Sequence, residues 1–235
     1  MTNQDPESKR LRSQLATLRE ITRAISVALS LDQILALITR KVARVMDVDS
    51  CSIYLLEEGQ QYLVLKATTG LATEAIGHAK LKLGEGLTGH AAKTAKPLAA
   101  SRASRDPHFK YLPETKESMF QSLLAVPLIA HGKVIGAVNV QTREGREYSQ
   151  DDTELLAIIA DVAAGELEKA LLYEEVGGLK EALETRKLVE RAKGILMKRH
   201  RVDEPEAFAR IQHQARSTRK SMREIAEAII LAEEV

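Results

Sequence analysis

The sequence has few of the residues on which metal-bound or disulfide-linked folds depend. Among its 235 residues there is one cysteine, Cys51, there is no tryptophan, and 3% are aromatic. A single cysteine excludes a disulfide framework and a cysteine-based zinc cluster. The six histidines are scattered through the chain without the spacing of metal ligands. We therefore predict no metal site, and no motif identifies a cofactor.

Long apolar runs are also missing. No run approaches the roughly 20 apolar residues needed to span a bilayer. The first twenty residues are charged throughout, without the apolar core of a signal peptide. With 44% apolar and 29% charged residues, the composition is typical of a soluble globular protein. We expect a cytoplasmic protein that does not associate with a membrane.

Catalytic motifs are absent as well, because no nucleophile–base–acid set and no kinase motif can be found. Gly84, Gly86 and Gly89 do form the pattern G-x-G-x-x-G between a strand-like and a helix-like stretch. A dinucleotide site would also need a βαβ crossover and an acidic residue at a strand end. Asp106 instead lies in a loop opened by Pro107. We predict that the chain is not an enzyme.

Apolar spacing divides the chain into segments. Residues 1–30 are predicted to form an N-terminal helix with a narrow seam suited to dimer formation, and Ser30 to Gln33 form a capping box for a second helix. Two hairpins follow, at residues 50–67 and 122–142, separated by a loop-rich stretch. This pattern predicts an α+β fold in which helices flank an antiparallel sheet. The residues of the N-terminal seam are Leu11, Leu15, Leu18, Ile25 and Leu29.

The second half of the chain is predicted to be helical. Ser149 and Asp152 cap a helix that is weakened at Gly177–Gly178 and continues to about His200. Two shorter helices follow, one capped by Asp203 and the other beginning near Ser217 or Thr218. The connector, residues 171–185, carries a coiled-coil seam that indicates a homodimer. The seam residues are Leu172, Val176, Leu179 and Leu183.

Positive charge is concentrated in one window. Residues 186–223 hold twelve Lys or Arg and four Asp or Glu, a net charge of +8 in a chain whose total is +1. Such a confined basic window indicates either a local polyanion site or a solvated helix face.

Gly194 lies in the middle of the helix in this window, where glycine costs about 1 kcal/mol relative to alanine. Helical spacing places it on one face with Lys187, Arg191, Lys198 and Arg201, next to an apolar face. A gap between cations would let a phosphate backbone or an extruded base approach the helix, whereas crowding by a neighbouring helix is the competing explanation. The apolar face comprises Leu188, Ala192, Ile195 and Val202.

The type of nucleic acid can also be argued. The last helix resembles the first helix of a helix-turn-helix motif, but the sequence provides no recognition helix after it. Phe208 is the only aromatic residue of the region, which excludes a flat stacking platform for single strands. A folded RNA, contacted by cations and helix surfaces, is the remaining prediction.

The stretch "RKLVERAKGILMKRHRVDEPEAFARIQHQARSTRKSMREIAEAII" resembles the ANTAR domain. The resemblance implies a three-helix module that, as a dimer, binds paired hairpin loops in nascent mRNA and prevents an intrinsic terminator from forming. The chain departs from the family pattern at Gln212 and at Ser221–Met222. The predicted RNA-binding residues are Lys187, Arg191, Ala192, Lys193, Gly194, Met197, Lys198, Arg201, Phe208, Arg219 and Lys220.

Residues 31–170 resemble a GAF domain, on the stretches "CSIYLLEEGQQYLVLKATTG", "GEGLTGHAAKTAKPL", "DPHFKYLPETKE" and "SLLAVPLIAHGKVIGAVNVQ". The resemblance implies a small-molecule sensor whose glycine turn lies beside the pocket, although the ligand does not follow from the fold. Simpler roles are lid packing for Phe109 and Tyr111, a surface ion pair between Arg105 and Asp106, and burial for Cys51. The candidate ligand-binding residues are Ser52, Tyr54, Arg105, Asp106, His108, Phe109 and Ser122.

Together these features predict a GAF sensor at 31–170, a connector at 171–185 and an ANTAR domain at 186–235. The predicted function is signal-responsive transcription antitermination. One alternative is a GAF-linked DNA-binding regulator, and another is an adaptor that binds protein through its acidic front half.

Overall fold

The computed structural model describes residues 30–57, 59 and 61–233. The chain divides into two compact units, Met1–Leu171 and Leu172–Val235, called here the front unit and the C-terminal unit. The predicted N-terminal helix with its leucine seam lies outside the described residues.

The front unit begins with helix α1, Leu31–Val45, and the predicted capping box is confirmed. The backbone N–H of Gln33 donates to the Ser30 hydroxyl, and the Gln33 side chain accepts from the Ser30 N–H. The elements that follow are β1 (Ser50–Leu56), β2 (Tyr62–Thr68), β3 (Lys80–Lys82), α2 (Gly86–Thr94), β4 (Leu98–Ala100), β5 (Ser122–Ala130) and β6 (Lys133–Thr142).

The six strands form one sheet in the order β3-β2-β1-β6-β5-β4, and every pairing between neighbouring strands is antiparallel. Both predicted hairpins are confirmed, as β1–β2 and β5–β6, and so is the α+β class. An antiparallel sheet has no βαβ crossover, so the glycine pattern does not form a dinucleotide site. It forms a tight turn instead, because Gly84 and Gly86 have φ of +92° and +66°. A Cβ on Gly89 would lie 2.8 Å from the carbonyl oxygen of Lys82.

The two faces of the sheet bury different clusters. Alternate residues of β1, including the buried Cys51 and Ile53, pack with helix α1 and with the first turns of helix α3, Gln150–His200. The opposite face carries Tyr54 and is covered by the segment between β4 and β5, from which Leu112 and Phe120 are buried against it. The loop-rich stretch of the sequence is therefore the lid of this second face.

Helix α3 begins at the predicted cap, where the Asp152 N–H donates to the Ser149 hydroxyl over 3.1 Å. It is 51 residues long and continues through Gly177–Gly178 without interruption. Among the residues that the structure describes, no helix combines the length and hydropathy needed to cross a membrane.

The C-terminal unit is completed by α4 (Glu204–Thr218) and α5 (Met222–Leu231). Asp203 caps α4 as predicted, through the Glu206 N–H. The predicted start of the last helix is wrong: α4 runs through Thr218 and ends at Arg219, which has φ of +56°. Helix α5 begins only after Ser221, because Ser221 and Glu224 form a capping box that the sequence analysis missed.

All three helices contribute to the core of the C-terminal unit. Ala192 is buried and Leu188 and Ile195 are half-buried against the core, whereas Val202 lies beyond the end of α3. Val189, which was not predicted, is also buried in this core. The buried residues are Val189, Ala192, Ile211, Ala215, Ile225, Ala226 and Ile230.

Candidate nucleic-acid interface and ligand site

A cationic face lies on α3 opposite the core of the C-terminal unit. At about 100° per residue, the centre of this face is about 130° from the mean direction of the α3 residues that pack in the core, Leu188, Val189, Ala192, Ile195 and Leu196. We define the cationic face as Lys187, Arg191, Gly194 and Lys198, all of which are exposed.

Gly194 leaves an open gap in the cationic face. A Cβ built on this residue would have no heavy atom within 4 Å beyond its immediate backbone. Crowding by a neighbouring helix therefore does not explain the glycine among the described residues. Its position between Arg191 and Lys198 leaves backbone accessible beside positive charge.

Most of the cationic face is open to solvent. Lys187 contacts Glu184 over 2.8 Å, but both side chains are exposed and such pairs contribute little to stability. Lys198 is exposed near the end of α3. A phosphate could replace the Glu184 contact at small cost, since exposed ion pairs gain little energy in water.

Ala192 was predicted to bind RNA but lies in the core of the C-terminal unit. It is 0% exposed and packs against α4 and α5, so it does not contact RNA in this arrangement. Its small side chain lets the helices approach, which makes it a packing residue.

Lys193 also differs from the prediction, because its side chain is only 8% exposed. Its Nζ lies 2.6 Å from Glu204 Oε1 and 2.9 Å from Glu190 Oε1. These hydrogen bonds, that to Glu204 foremost, raise the pKa of the Lys193 ammonium. Lys193 thus joins α3 to the first turn of α4, and its charge is already engaged.

Arg201 is not on the cationic face, because α3 ends at His200 and Arg201 has φ of +52°. Met197 and Phe208 are 36% and 41% exposed on α3 and α4. Arg219 and Lys220 are exposed in the turn that joins α4 to α5.

The predicted ligand-binding residues of the front unit do not all share one face. Ser52 and Tyr54 lie on the lid-covered face, where the Ser52 hydroxyl is 2.8 Å from that of Thr68. Ser122 lies on the opposite face and hydrogen-bonds to Thr142 and Tyr148. Alternation along β5 explains this correction, because its neighbour Leu124 packs with the helices.

The lid residues mostly make local contacts. Asp106 accepts a hydrogen bond from the His108 N–H over 2.8 Å and lies 3.0 Å from His108 Nδ1, so its partner is His108. The predicted ion pair with Arg105, which is exposed, is not found in the described part of the chain. Phe109 packs against the small cluster around Leu123, as the lid interpretation expected.

Sequence analysis missed three polar residues on the lid-covered face. Ser50 Oγ, Asn139 Oδ1 and Gln141 Oε1 are buried without a hydrogen-bond partner. Ser50 is paired directly with Gln141 across β1 and β6, and Ser52 with Asn139. The segment "VNVQ" could have identified two of these residues, because Asn139 and Gln141 alternate with two valines that face the helices.

Glu117 lies beside them, in the lid. Its Oε1 accepts from the Leu112 N–H over 3.1 Å, and its Oε2 accepts from Gln141 Nε2 over 3.3 Å. Burial raises the pKa of the Glu117 carboxyl, because desolvation outweighs these hydrogen bonds. No Lys or Arg forms an ion pair with it in the described ranges.

Comparisons with known proteins divide the chain in the same way. Residues 28–168 match the GAF domain family, and residues 178–230 match the ANTAR domain family. The front part is 32% identical, over 67% of this chain, to the phosphoenolpyruvate-dependent phosphotransferase system protein of Escherichia coli. It also resembles the crystal structure of the GAF domain from an Acinetobacter phosphoenolpyruvate-protein phosphotransferase, with a TM-score of 0.62, 32% identity and coverage of 69% of this chain and 97% of that one.

The C-terminal part resembles a different protein. It is 52% identical over 56 residues, or 24% of this chain, to the transcriptional regulatory protein PdtaR of Mycobacterium tuberculosis. The matched segments span only 21% of the Escherichia coli relative and 27% of PdtaR.

Proposed function

Because the chain belongs to the GAF domain family and carries an ANTAR domain behind its GAF domain, we propose that it is a signal-responsive transcription antitermination regulator. In this proposal the ANTAR domain binds paired hairpin loops in nascent mRNA, in the cytoplasm, and the GAF domain controls that binding. One observation carries it: the cationic face of α3 is interrupted by an open glycine and lies opposite the core. The name of PdtaR supports a role in transcription.

RNA fits this surface by charge and shape. Cations on an exposed helix face contact phosphates, and the gap at Gly194 lets a backbone or an extruded base come close to the helix. A helix-turn-helix reader would instead expose a recognition helix to the DNA major groove. In the C-terminal unit, α5 buries Ile225, Ala226 and Ile230 and so serves the core.

The seam on the connector supports a dimer. Leu172, Val176, Leu179 and Leu183 are 54%, 46%, 64% and 53% exposed, at the alternating spacing of a coiled coil. In a parallel pair, Glu175 of one copy would lie beside Lys180 of the other, since these flanking positions are five residues apart. At about 100° per residue, the centre of the seam lies about 60° from the centre of the cationic face. The seam ends at Leu183, about one turn before Lys187, so pairing along the connector leaves each cationic face uncovered for its own hairpin.

Replacement of Lys198 by alanine tests RNA binding. We expect weaker binding of an RNA with two hairpin loops and a log–log salt slope that is smaller by about 0.7–0.9 for the lost phosphate contact. Fluorescence anisotropy at several salt concentrations measures both. Lys133→Ala, at the exposed first residue of β6, is the matched control and should bind as the unchanged chain does.

Competition binding decides between the two nucleic acids. A preference for duplex promoter DNA over hairpin RNA would contradict the proposal and favour a DNA-binding regulator. If Lys198→Ala left both the affinity and the salt slope unchanged, an adaptor that binds protein would be the better interpretation.

The GAF domain supplies the signal in this proposal. A small molecule would bind between the lid and the sheet face that carries Ser52, Tyr54 and Asn139. Binding would alter how the connector seams pair and so the spacing of the two RNA-binding surfaces, which are joined to the front unit by the single helix α3.

A further inference from the structure

The buried polar atoms without partners are concentrated in one place. In the part of the chain that the structure describes, all three such side-chain atoms, on Ser50, Asn139 and Gln141, face the lid from two neighbouring strands. An unpaired buried polar group costs about 1–3 kcal/mol. A bound polar group with hydrogen-bond donors would satisfy the two amide oxygens, on Asn139 and Gln141.

The two amide oxygens of this group can act only as hydrogen-bond acceptors. Gln141 is oriented by its Nε2, which donates to Glu117, so its Oε1 is an acceptor. Asn139 Nδ2 donates to the Thr88 hydroxyl over 2.7 Å, so its Oδ1 is also an acceptor. Along one strand face these two positions are about 7 Å apart. Glu117, held to Gln141 in the lid, adds a carboxylate.

We propose that this site binds the primary ammonium group of a small organic amine. An ammonium has three N–H donors and no acceptor, which matches Asn139 Oδ1, Gln141 Oε1 and the Glu117 carboxylate. This inference rests on the proposed sensor role of the GAF domain and names the class of its ligand. The amine enters by displacing the lid around Glu117, because the acceptor atoms are closed off from solvent.

The same arrangement disfavours acids. Glu117 is hydrogen-bonded by the Leu112 N–H, Gln141 and Thr115. The ionisable groups coupled to it are Glu114 and Tyr54. A carboxylate or phosphate would meet negative charge and acceptors here. A positively charged ligand would supply the counter-charge that Glu117 lacks in the described ranges.

Binding is therefore coupled to protonation. Burial raises the pKa of Glu117 above its ordinary value of 4.5, so part of the population carries a proton there in the acidic range. A bound ammonium favours the ionised carboxylate and expels that proton. Amine affinity should rise as the pH rises through the raised pKa of Glu117, and should level off once the carboxyl is fully ionised.

The test uses the full chain and a fixed panel of probes. Calorimetry and thermal unfolding are run with methylamine, putrescine and agmatine, against glycolate and succinate. We expect at least one amine, and no acid, to bind. Glu117→Gln should weaken that amine more than about tenfold and remove the pH dependence, because a charge-assisted hydrogen bond is lost. Glu74→Gln, at an exposed carboxyl between β2 and β3, is the matched control and should retain both.

A second variant separates binding from folding. Gln141→Leu removes the Oε1 acceptor of the site together with the Nε2 donor to Glu117, so the free protein should lose some stability but remain folded, while amine affinity falls. The proposal is overturned if acids bind in preference to amines, if no amine binds, or if Glu117→Gln binds as tightly as the unchanged chain. Hairpin RNA binding by the same preparation is measured separately, and its loss would contradict the proposed output without bearing on the ligand class.

Discussion

Gly194 lowers the stability of the helix that contains it, and the proposed RNA-binding role explains why a glycine occupies this position. It lies within helix α3, where an alanine would be more stable, and nothing in the described structure requires its small size. Gly177 is in the same situation on the same helix, with no heavy atom near its missing Cβ. The two glycines differ in their neighbours, because only Gly194 lies among cations that face away from the core.

Replacement of each glycine by alanine separates stability from binding. Both Gly194→Ala and Gly177→Ala should stabilise the helix by about 0.5–1 kcal/mol, because alanine loses less backbone entropy. Only Gly194→Ala should weaken RNA binding, since its Cβ fills the gap in the cationic face. Thermal unfolding and anisotropy on the two variants measure these effects. Equal RNA affinities would remove the functional explanation of Gly194.

Ala192 and Lys193 show where residue-level reasoning from a motif was insufficient. Both stand beside Gly194 in the sequence, but a helix turns by about 100° per residue. One side chain therefore enters the core and the next is held between Glu190 and Glu204. Their neighbour Gly194 is open to solvent, so a shared motif contains residues with three different roles.

At the scale of elements, the capping boxes decided where the helices begin. Those at Ser30 and Ser149 were recognised from the spacing of a serine and an acidic or amide residue three positions later. The same spacing at Ser221 and Glu224 was overlooked in favour of Ser217 and Thr218. Those two hydroxyls instead bond to the carbonyl oxygen of Gln214 at the end of α4.

Ser221→Ala should therefore destabilise the start of α5 by about 1 kcal/mol, because its hydroxyl accepts from the Glu224 N–H. Ser217→Ala is the matched control and should change stability by less than about 0.5 kcal/mol. Amide hydrogen exchange in α5 reports the local free energy of opening. A larger loss of stability in Ser217→Ala than in Ser221→Ala would contradict the assignment of Ser221 as the cap of α5.

The sheet, unlike the start of α5, was predicted correctly from the sequence. Its hairpins and its antiparallel class were predictable from alternation, because one face of each strand is apolar and packs on helices. The alternation also contained Asn139 and Gln141, but the groups that accept from their amide nitrogens, Thr88 on α2 and Glu117 in the lid, come from distant segments of the chain. Only the register of β1 against β6 brings Ser50 opposite Gln141.

At the scale of the whole molecule, α3 is the element shared by both units, and its exposed seam is the proposed means of pairing. Leu179→Glu places a charge at the centre of that seam. We expect a monomer, and affinity for a two-hairpin RNA lower by about a hundredfold or more, because the second hairpin is no longer bound by a linked copy. Sedimentation velocity and anisotropy measure the two effects.

Leu231→Glu provides the control for that experiment. Leu231 is as exposed as Leu179, at 64%, but lies at the end of α5 and not on the seam. It should leave both the dimer and the RNA affinity unchanged. A Leu179→Glu protein that remained dimeric would exclude the connector as the pairing surface.

Local sequence patterns were enough to predict the α+β class, the two domains, the main helices and the position of the basic window. These depend on local periodicity, caps and composition, which act between residues close along the chain. Tertiary structure decided which motif residues are exposed, that Ser122 lies on the helix side of the sheet, and that acceptors gather under the lid. Those outcomes depend on helix rotation, strand register and long-range packing, which no single segment specifies.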